Sequence, residues 1–535
     1  MNFKKQTYYF IGIGGIGMSS IARYLVLQGA KVYGYDKTPS AVINSLQTLG
    51  ITVVFDSSVD ALPAAVLSKQ TLVVYTPAIP KNHPQLYFYI NQGNDVVKRA
   101  ALLGDLTRDT ICLAVAGTHG KTTTTAILTH LFEQSKVSYT AFIGGVFQDS
   151  KTNMMSRGNV YTIVEADEFD RSFLHLKPTI ACVTSMDADH LDIYEDAHSL
   201  SEAYRNFAAQ VKETLVVEKD LPLDGVTFSV SEDADFYVDC IKPVSTGVYF
   251  DLHTPNAVLK NQFFNQLGKH NLSNALAALA MANQAGLSIE ELTKSLTNFP
   301  GVERRLQVLI NQKNRVVIDD YAHHPTEIKA VFETLELSFP EDKKCVVFQP
   351  HLFSRTRDFM EDFASALSLF DRVILLEIYP ARELPIPGIN AEALMDKIKG
   401  TFVELVSKKQ LGDLLTKVDE RIIALLGAGD IGAEVKGLKH KLMQYEIPLL
   451  AMRIAATTLL FIAMWNIWTF RITPRFCAPF AFLFNISGII FLTLGIKYEI
   501  FDLVRGGGVI LFVSYILIIS FVVDNFLRSK NDSKD

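Results

Sequence analysis

Short apolar runs alternate with stretches of helical period along most of the chain. Tyr8–Ile13 is apolar and ends among glycines, Ser19–Gln28 places its apolar residues at helical spacing, and Lys31–Asp36 and Leu72–Tyr75 again read as strands. The alternation restarts at Thr110. Ile111–Ala116 predicts a strand, Lys121–Gln134 a helix, and Val160–Val164 and Thr179–Thr184 two more strands, each running into acidic residues. Asn271–Ala285 is Ala-rich and helical, with Gly286 as its stop. A third series has strands at Val316–Ile318, Cys345–Phe348, Val373–Leu376 and Arg421–Leu426. Strands alternating with helices predict an α/β fold with parallel sheets covered by helices. The boundaries expected are 1–107, 108–300 and 301–445, followed by a hydrophobic tail over 446–535.

The tail holds three apolar stretches, Ile447–Phe470, Phe476–Ile496 and Gly508–Val523. The first two are long enough to cross a hydrocarbon core of about 30 Å as helices. Trp465 and Trp468 fall near the far end of the first, where interface residues gather. The expectation is two or three transmembrane helices anchoring a cytoplasmic body to the inner membrane. Net charge is −6, so no basic excess favours nucleic acid as a partner. Five widely spaced cysteines argue against a disulfide framework and a thiolate metal site.

Two glycine loops carry the candidate chemistry. Gly12-Ile13-Gly14-Gly15-Ile16-Gly17 follows a strand and opens a helix, a context in which backbone N–H groups bind a diphosphate, with Asp36 at the end of the next strand. Alone, that pattern predicts NAD. Gly117-Thr118-His119-Gly120-Lys121-Thr122-Thr123 resembles a P-loop with Val115 at the usual first glycine position. Such a loop cradles phosphates, Lys121 neutralising them and Thr122 ligating Mg²⁺. Two acidic clusters, Glu165–Asp170 and Asp187–Asp192, leave strand ends on the same sheet edge. Together with a P-loop they predict a metal site, His190 being its unusual member. An NAD-dependent oxidoreductase leaves the P-loop unexplained. A non-catalytic, membrane-tethered nucleotide-binding scaffold does not need Lys121, Thr122, Glu165 and His190 intact.

These segments, with Gly268-Lys269-His270-Asn271 and Asn274, Gly301-Val302-Glu303-Arg304-Arg305, Asp319–Glu327, Gln349-Pro350-His351 and Arg355, occur in the order of a known family. The chain resembles the Mur ligases over about residues 5–435. The resemblance implies three domains: a Rossmann-like UDP-sugar-binding domain, a central P-loop ATPase-like domain and a Rossmann-like domain supplying amino-acid contacts. It reassigns the first glycine loop from NAD to a UDP-sugar. The implied substrates are ATP, UDP-N-acetylmuramate and L-alanine, joined through an acyl phosphate in peptidoglycan precursor synthesis; a branch adding a preformed tripeptide is the close rival. The implied catalytic residues are Lys121, Glu165 and His190, with Thr122, Glu165 and His190 holding Mg²⁺. ATP would meet Gly117, Thr118, His119, Gly120, Lys121, Thr122, Thr123, His270, Asn271, Asn274, Arg304 and Asp319. The UDP-sugar would meet Gly12, Gly14, Gly15, Gly17, Met18, Ser19 and Asp36. L-Alanine would meet Tyr321, His323 and Arg355. Leu352 departs from the pattern, since many relatives carry Arg there. The oligomeric state is left open.

Overall fold

In the computed structural model the described residues are 6–187, 194, 197–231, 233–381, 383–435, 437–439 and 441–442. The chain divides into two compact units. The larger, Met1–Ser407 with Asp419–Gly432, holds three sheets. The smaller contains the helix Lys408–Leu415, where Asp413 pairs with Lys441 at 2.5 Å. The membrane helices expected over 446–535 lie outside the described residues, and so does His190. Among the described residues no helix is long and apolar enough to cross a membrane.

The first sheet is parallel, ordered β3-β2-β1-β4-β5, from β1 (Thr7–Ile11), β2 (Lys31–Tyr35), β3 (Thr52–Val54), β4 (Leu72–Tyr75) and β5 (Val96–Lys98). β1 lies between β2 and β4, so the glycine loop leaves its carboxyl end at the point where strand order reverses. Ligands of such sheets bind in that crevice. The following helix is Ile16–Leu27, starting earlier than expected because Gly15 caps it directly.

The second sheet has ten strands: β6 (Ile111–Ala116), β7 (Tyr139–Phe142), β8 (Met154–Ser156), β9 (Tyr161–Glu165), β10 (Ile180–Val183), β11 (Thr214–Glu218), β12 (Val226–Ser229), β13 (Phe236–Val244), β14 (Gly247–His253) and β15 (Val258–Phe264). Their order is β15-β14-β13-β12-β11-β10-β6-β9-β7-β8. β6 is buried along nearly its whole length, as an inner parallel strand must be. Its helix, Lys121–Gln134, opens with four threonines, which are poor helix formers. Burial compensates: Thr122 to Phe132 are all buried, partly beneath the Ala-rich helix Lys269–Gln284. That helix ends before Gly286, whose φ of 88° turns the chain away.

The third sheet is ordered β16-β17-β21-β18-β19-β20, from β16 (Gln307–Asn311), β17 (Val316–Asp320), β18 (Lys344–Phe348), β19 (Arg372–Leu375), β20 (Phe402–Leu405) and β21 (Ile422–Leu426). Apolar contact is continuous between the first two sheets: Tyr8, Phe10 and Leu25 share a core with Ala114, Val164 and Phe173, and Tyr24 meets Phe142 edge-on at 5.4 Å. The third sheet has its own core around Ile318, Val346 and Ala424. It is tied to the second by backbone bonds from Gln148 N–H to Gly301 O (3.1 Å) and from Glu303 N–H to Val146 O (2.8 Å).

Candidate active site

The P-loop connects β6 to its helix through Gly117 (φ 137°) and Gly120 (φ 83°), backbone angles that L side chains rarely adopt. A side chain at Gly120 would also overlap Asn274 Oδ1. Lys121 Nζ donates to Gly117 O at 2.7 Å and lies 2.8 Å from the Glu168 carboxylate. Burial pulls its proton affinity down, but Glu168, Asp167 and Glu165 outweigh this and hold the ammonium above the ordinary lysine range. Thr122 Oγ1 donates to Glu165 Oε1 at 2.9 Å, and Glu165 Oε2 accepts the Gly144 N–H at 2.9 Å. Burial pushes the Glu165 and Glu168 carboxyls up, against the pull of Lys121. A hydroxyl and a carboxylate side by side, with negative charge that one lysine does not neutralise, are hard oxygen donors suited to Mg²⁺.

Three cavities border these groups. The first, about 470 Å³, is lined by Gly15, Gly17, Met18, Arg99, Glu165 and Asp167 among others. The second, about 560 Å³, holds Lys121, Thr122, Glu165, Arg304, Tyr321 and His323. The third, about 310 Å³, holds His119, Thr123, His270, Asn271, Asn274 and Arg305. The first and second share Ile16, Gly144, Glu165 and Asp167; the second and third share His119, Gly120, Thr123, Arg305 and Glu327.

Several residues expected at the ligands are turned to structural work. Gly12 and Gly14 do not line the first cavity; they shape its loop, Gly12 N–H bonding to Tyr35 O at 2.8 Å. Asp36 accepts the Gly14 N–H at 2.7 Å, so its carboxylate braces the loop instead of facing that cavity. Ser19 is fully buried, its Oγ accepting from Asn153 Nδ2 at 2.9 Å. Asp319 borders none of the three cavities. It is buried behind Arg304, whose Nε is 3.8 Å from Oδ1, and burial raises its carboxyl to about 7. Arg355 also lies outside these cavities, and its charge acts on His323 and His351. Asn271 and Asn274 border the third cavity yet also brace the fold: Asn271 Nδ2 donates to Leu267 O at 2.9 Å, and Thr124 Oγ1 to Asn274 Oδ1 at 3.2 Å.

His323 has a defined tautomer. Its Nδ1 faces two acceptors, Tyr321 O at 2.9 Å and Glu327 Oε2 at 3.3 Å, so the proton sits on Nδ1 and Nε2 is the free base. Burial, with Arg355 and Arg305 nearby, lowers its proton affinity despite Glu327. His351 is lowered to about 4 by burial and by His323 and Arg355. Both imidazoles are therefore neutral near pH 7. Tyr321 lies under two guanidinium groups, Arg304 at 5.0 Å and Arg305 at 5.2 Å from its ring centre.

Four residues at the site have no individual role in the sequence reading, although Glu168, Arg305 and Glu327 lie within its motif segments. Arg99, directly after β5, lines the first cavity 3.8 Å from Asp167. Arg305 borders the second and third cavities. Glu327 accepts the His323 and His324 N–H groups at 2.9 and 3.1 Å and lies 3.7 Å from His119. Glu168 pairs with Lys121. Glu327 was legible in principle, standing three residues after His324 where a capping-box acid belongs.

Residues 7–110 match the family model described as Mur ligase family, catalytic domain; residues 115–282 the Mur ligase middle domain; and residues 304–435 the Mur ligase, glutamate ligase domain. A UDP-N-acetylmuramate–L-alanine ligase of Christiangramia forsetii is 49% identical over 440 residues, covering 82% of this chain and 97% of the relative. The ligase of the same name from Flavobacterium psychrophilum is 50% identical over 436 residues, covering 81% and 97%. Among solved structures, the UDP-N-acetylmuramate-alanine ligase MurC of Thermotoga maritima superposes with a TM-score of 0.71 at 26% identity, covering 83% of this chain and 99% of that one.

Proposed function

Because the chain belongs to the Mur ligase family, we propose that it joins L-alanine to the lactyl carboxylate of UDP-N-acetylmuramate at the expense of ATP, the first amino-acid addition in peptidoglycan precursor synthesis. The observation that carries this reading is the P-loop cavity, which shares walls with a cavity at the first glycine loop on one side and with one at His270 and Asn274 on the other.

A carboxylate is a poor electrophile and must be activated. The UDP-sugar occupies the first cavity, its diphosphate against Gly15, Gly17 and Arg99, with its lactyl carboxylate reaching Glu165 and Lys121. ATP spans the second and third cavities. Lys121 neutralises charge on the transferring phosphoryl group, and Arg304 and Arg305 add positive charge from the third domain. Thr122 and Glu165, with His190 as a further ligand, would hold Mg²⁺, which when bound would supply a fixed positive charge at the phosphates. The transfer gives an acyl phosphate. Arg355, outside the three cavities but near enough for its charge to act on His323, attracts the L-alanine carboxylate over that distance, and Nε2 of His323 takes the proton from its amine as that amine attacks. Phosphate then leaves.

The apolar stretches of 446–535 support a membrane anchor for a cytoplasmic body. Sedimentation with the membrane fraction, abolished by detergent but not by high salt, is the expected behaviour; a wholly soluble protein refutes it.

The experiment for the main reading is phosphate release by the full-length protein with ATP, Mg²⁺ and UDP-N-acetylmuramate, adding L-alanine, a tripeptide or nothing. Release that requires L-alanine is expected, and Lys121→Ala and Glu165→Ala should each abolish it. Release that requires the tripeptide overturns the substrate assignment, and full turnover in either variant overturns the site.

A further inference from the structure

We infer that Glu168 is a positioning residue for Lys121, holding its ammonium on the phosphate cavity and away from Glu165. The inference rests on the ligase reading above for the role of Lys121. Glu168 does not border the second cavity, and its side chain is only 1% exposed, so it acts on a nucleotide only through the lysine. Its backbone carbonyl is held by two donors: Tyr194 hydroxyl donates to Glu168 O at 2.7 Å, and Arg171 N–H donates to the same oxygen at 2.9 Å. The chain then passes through Asp170 and Arg171 at φ 54° and 55°, a tight left-handed turn that carries Asp170 to an ion pair with Lys98 at 2.7 Å.

An ammonium has three N–H donors. In Lys121 they meet Gly117 O at 2.7 Å, the Glu168 carboxylate at 2.8 Å and Thr118 O at 3.4 Å. A phosphate oxygen replaces the longest of these. Replacing Glu168 would strand a buried carboxylate without its cation, a far costlier exchange than giving up a stretched bond to a carbonyl. The pair therefore survives nucleotide binding. It also settles a competition, because Glu165 and Asp167 both attract Lys121. Without Glu168 the lysine is drawn onto Glu165 and competes with a cation for that carboxylate.

The test uses full-length Glu168→Gln, which keeps an acceptor but removes the charge, and Glu168→Asp, which keeps the charge. For Glu168→Gln the expected result is a kcat about ten- to a hundredfold lower, a half-saturating Mg²⁺ concentration at least about threefold higher, and an unchanged KM for UDP-N-acetylmuramate. Mn²⁺ binding without nucleotide, followed by water-proton relaxation, should weaken in parallel. Glu168→Asp should restore the wild-type metal dependence, and it carries the test if Glu168→Gln fails to fold. Unchanged kcat and metal binding in Glu168→Gln overturn the inference. So does a parallel loss of UDP-sugar affinity and thermal stability in both variants, which marks a merely structural role. Wild-type protein that releases no phosphate fails the ligase reading itself, whereas active wild type with an equally active Glu168→Gln fails only this inference.

Discussion

Gly144→Ala perturbs the proposed metal carboxylate without altering it. Gly144 is not in the left-handed region, so alanine fits the backbone. The added Cβ, however, would lie 2.6 Å from Glu165 Cδ and overlap Oε2. Carbon atoms rest about 3.5–4.0 Å apart, so the carboxyl group must retreat by about 1 Å. It would also lose the 2.9 Å bond from Gly144 N–H, a bond to a charged acceptor worth about 1.5–3 kcal/mol. The atoms that must give way are the far end of a flexible side chain, so the fold persists, and the lost bond lowers the melting temperature by roughly a few degrees. Displacing a catalytic group by about 1 Å costs on the order of a hundredfold in rate, or about 2.7 kcal/mol of activation free energy. Phosphate release measured against Mg²⁺ at saturating ATP, UDP-N-acetylmuramate and L-alanine should show kcat down by about that factor and a weaker metal dependence. Wild-type kcat with a wild-type Mg²⁺ curve would refute the assignment of Glu165.

Three further outcomes follow from the geometry. His323→Gln should leave acyl-phosphate formation intact, seen as hydroxamate trapped by hydroxylamine, while ligation falls by about 10²–10⁴-fold; equal loss of both steps excludes His323 as the base. Asp319 takes up a proton on folding, its carboxyl standing at about 7 against an ordinary 3.8, so its contribution to stability is full below about pH 4 and is lost as pH rises through about 7. Asp319→Asn should therefore gain melting temperature relative to wild type between pH 5 and pH 8, within an upper bound of about 4 kcal/mol, and a pH-independent difference counts against the raised carboxyl. Ser19→Ala should cost about 1 kcal/mol through its lost bond with Asn153 and leave the KM for UDP-N-acetylmuramate unchanged; a large rise in KM would return Ser19 to the ligand.

Local signals were the most legible. Ile111–Ala116 and Lys121–Gln134 have the bounds read from the sequence, because an apolar run, a glycine loop and a lysine-threonine helix start are all short-range features. The meander β13–β14–β15 was not legible. Bulges between Asp239 and Lys242 and between Phe250 and Leu252 break the two-residue period on which strand reading depends. β3 and β5 are three residues long and leave no period to detect. At the site, residue type was readable but facing was not. Asp36 and Ser19 have suitable chemistry, yet the fold gives their polar atoms to Gly14 and Asn153. Arg99 meets Asp167 because the helix it opens, Arg99–Thr107, packs against the turn segment Phe169–His175 that follows Asp167, a proximity no sequence pattern encodes.

The walls shared between neighbouring cavities also constrain inhibitors. Glu165 and Asp167 line both the cavity at the first glycine loop and the P-loop cavity, so the two compartments adjoin at those side chains. A ligand joining a UDP-sugar mimic to a phosphate mimic by a short tether would meet its second compartment at an effective concentration in the millimolar range, gaining affinity without any new contact. Escape from such a compound by substitution at the shared carboxylates would at the same time disable the proposed metal ligand, leaving resistance only to the outer walls.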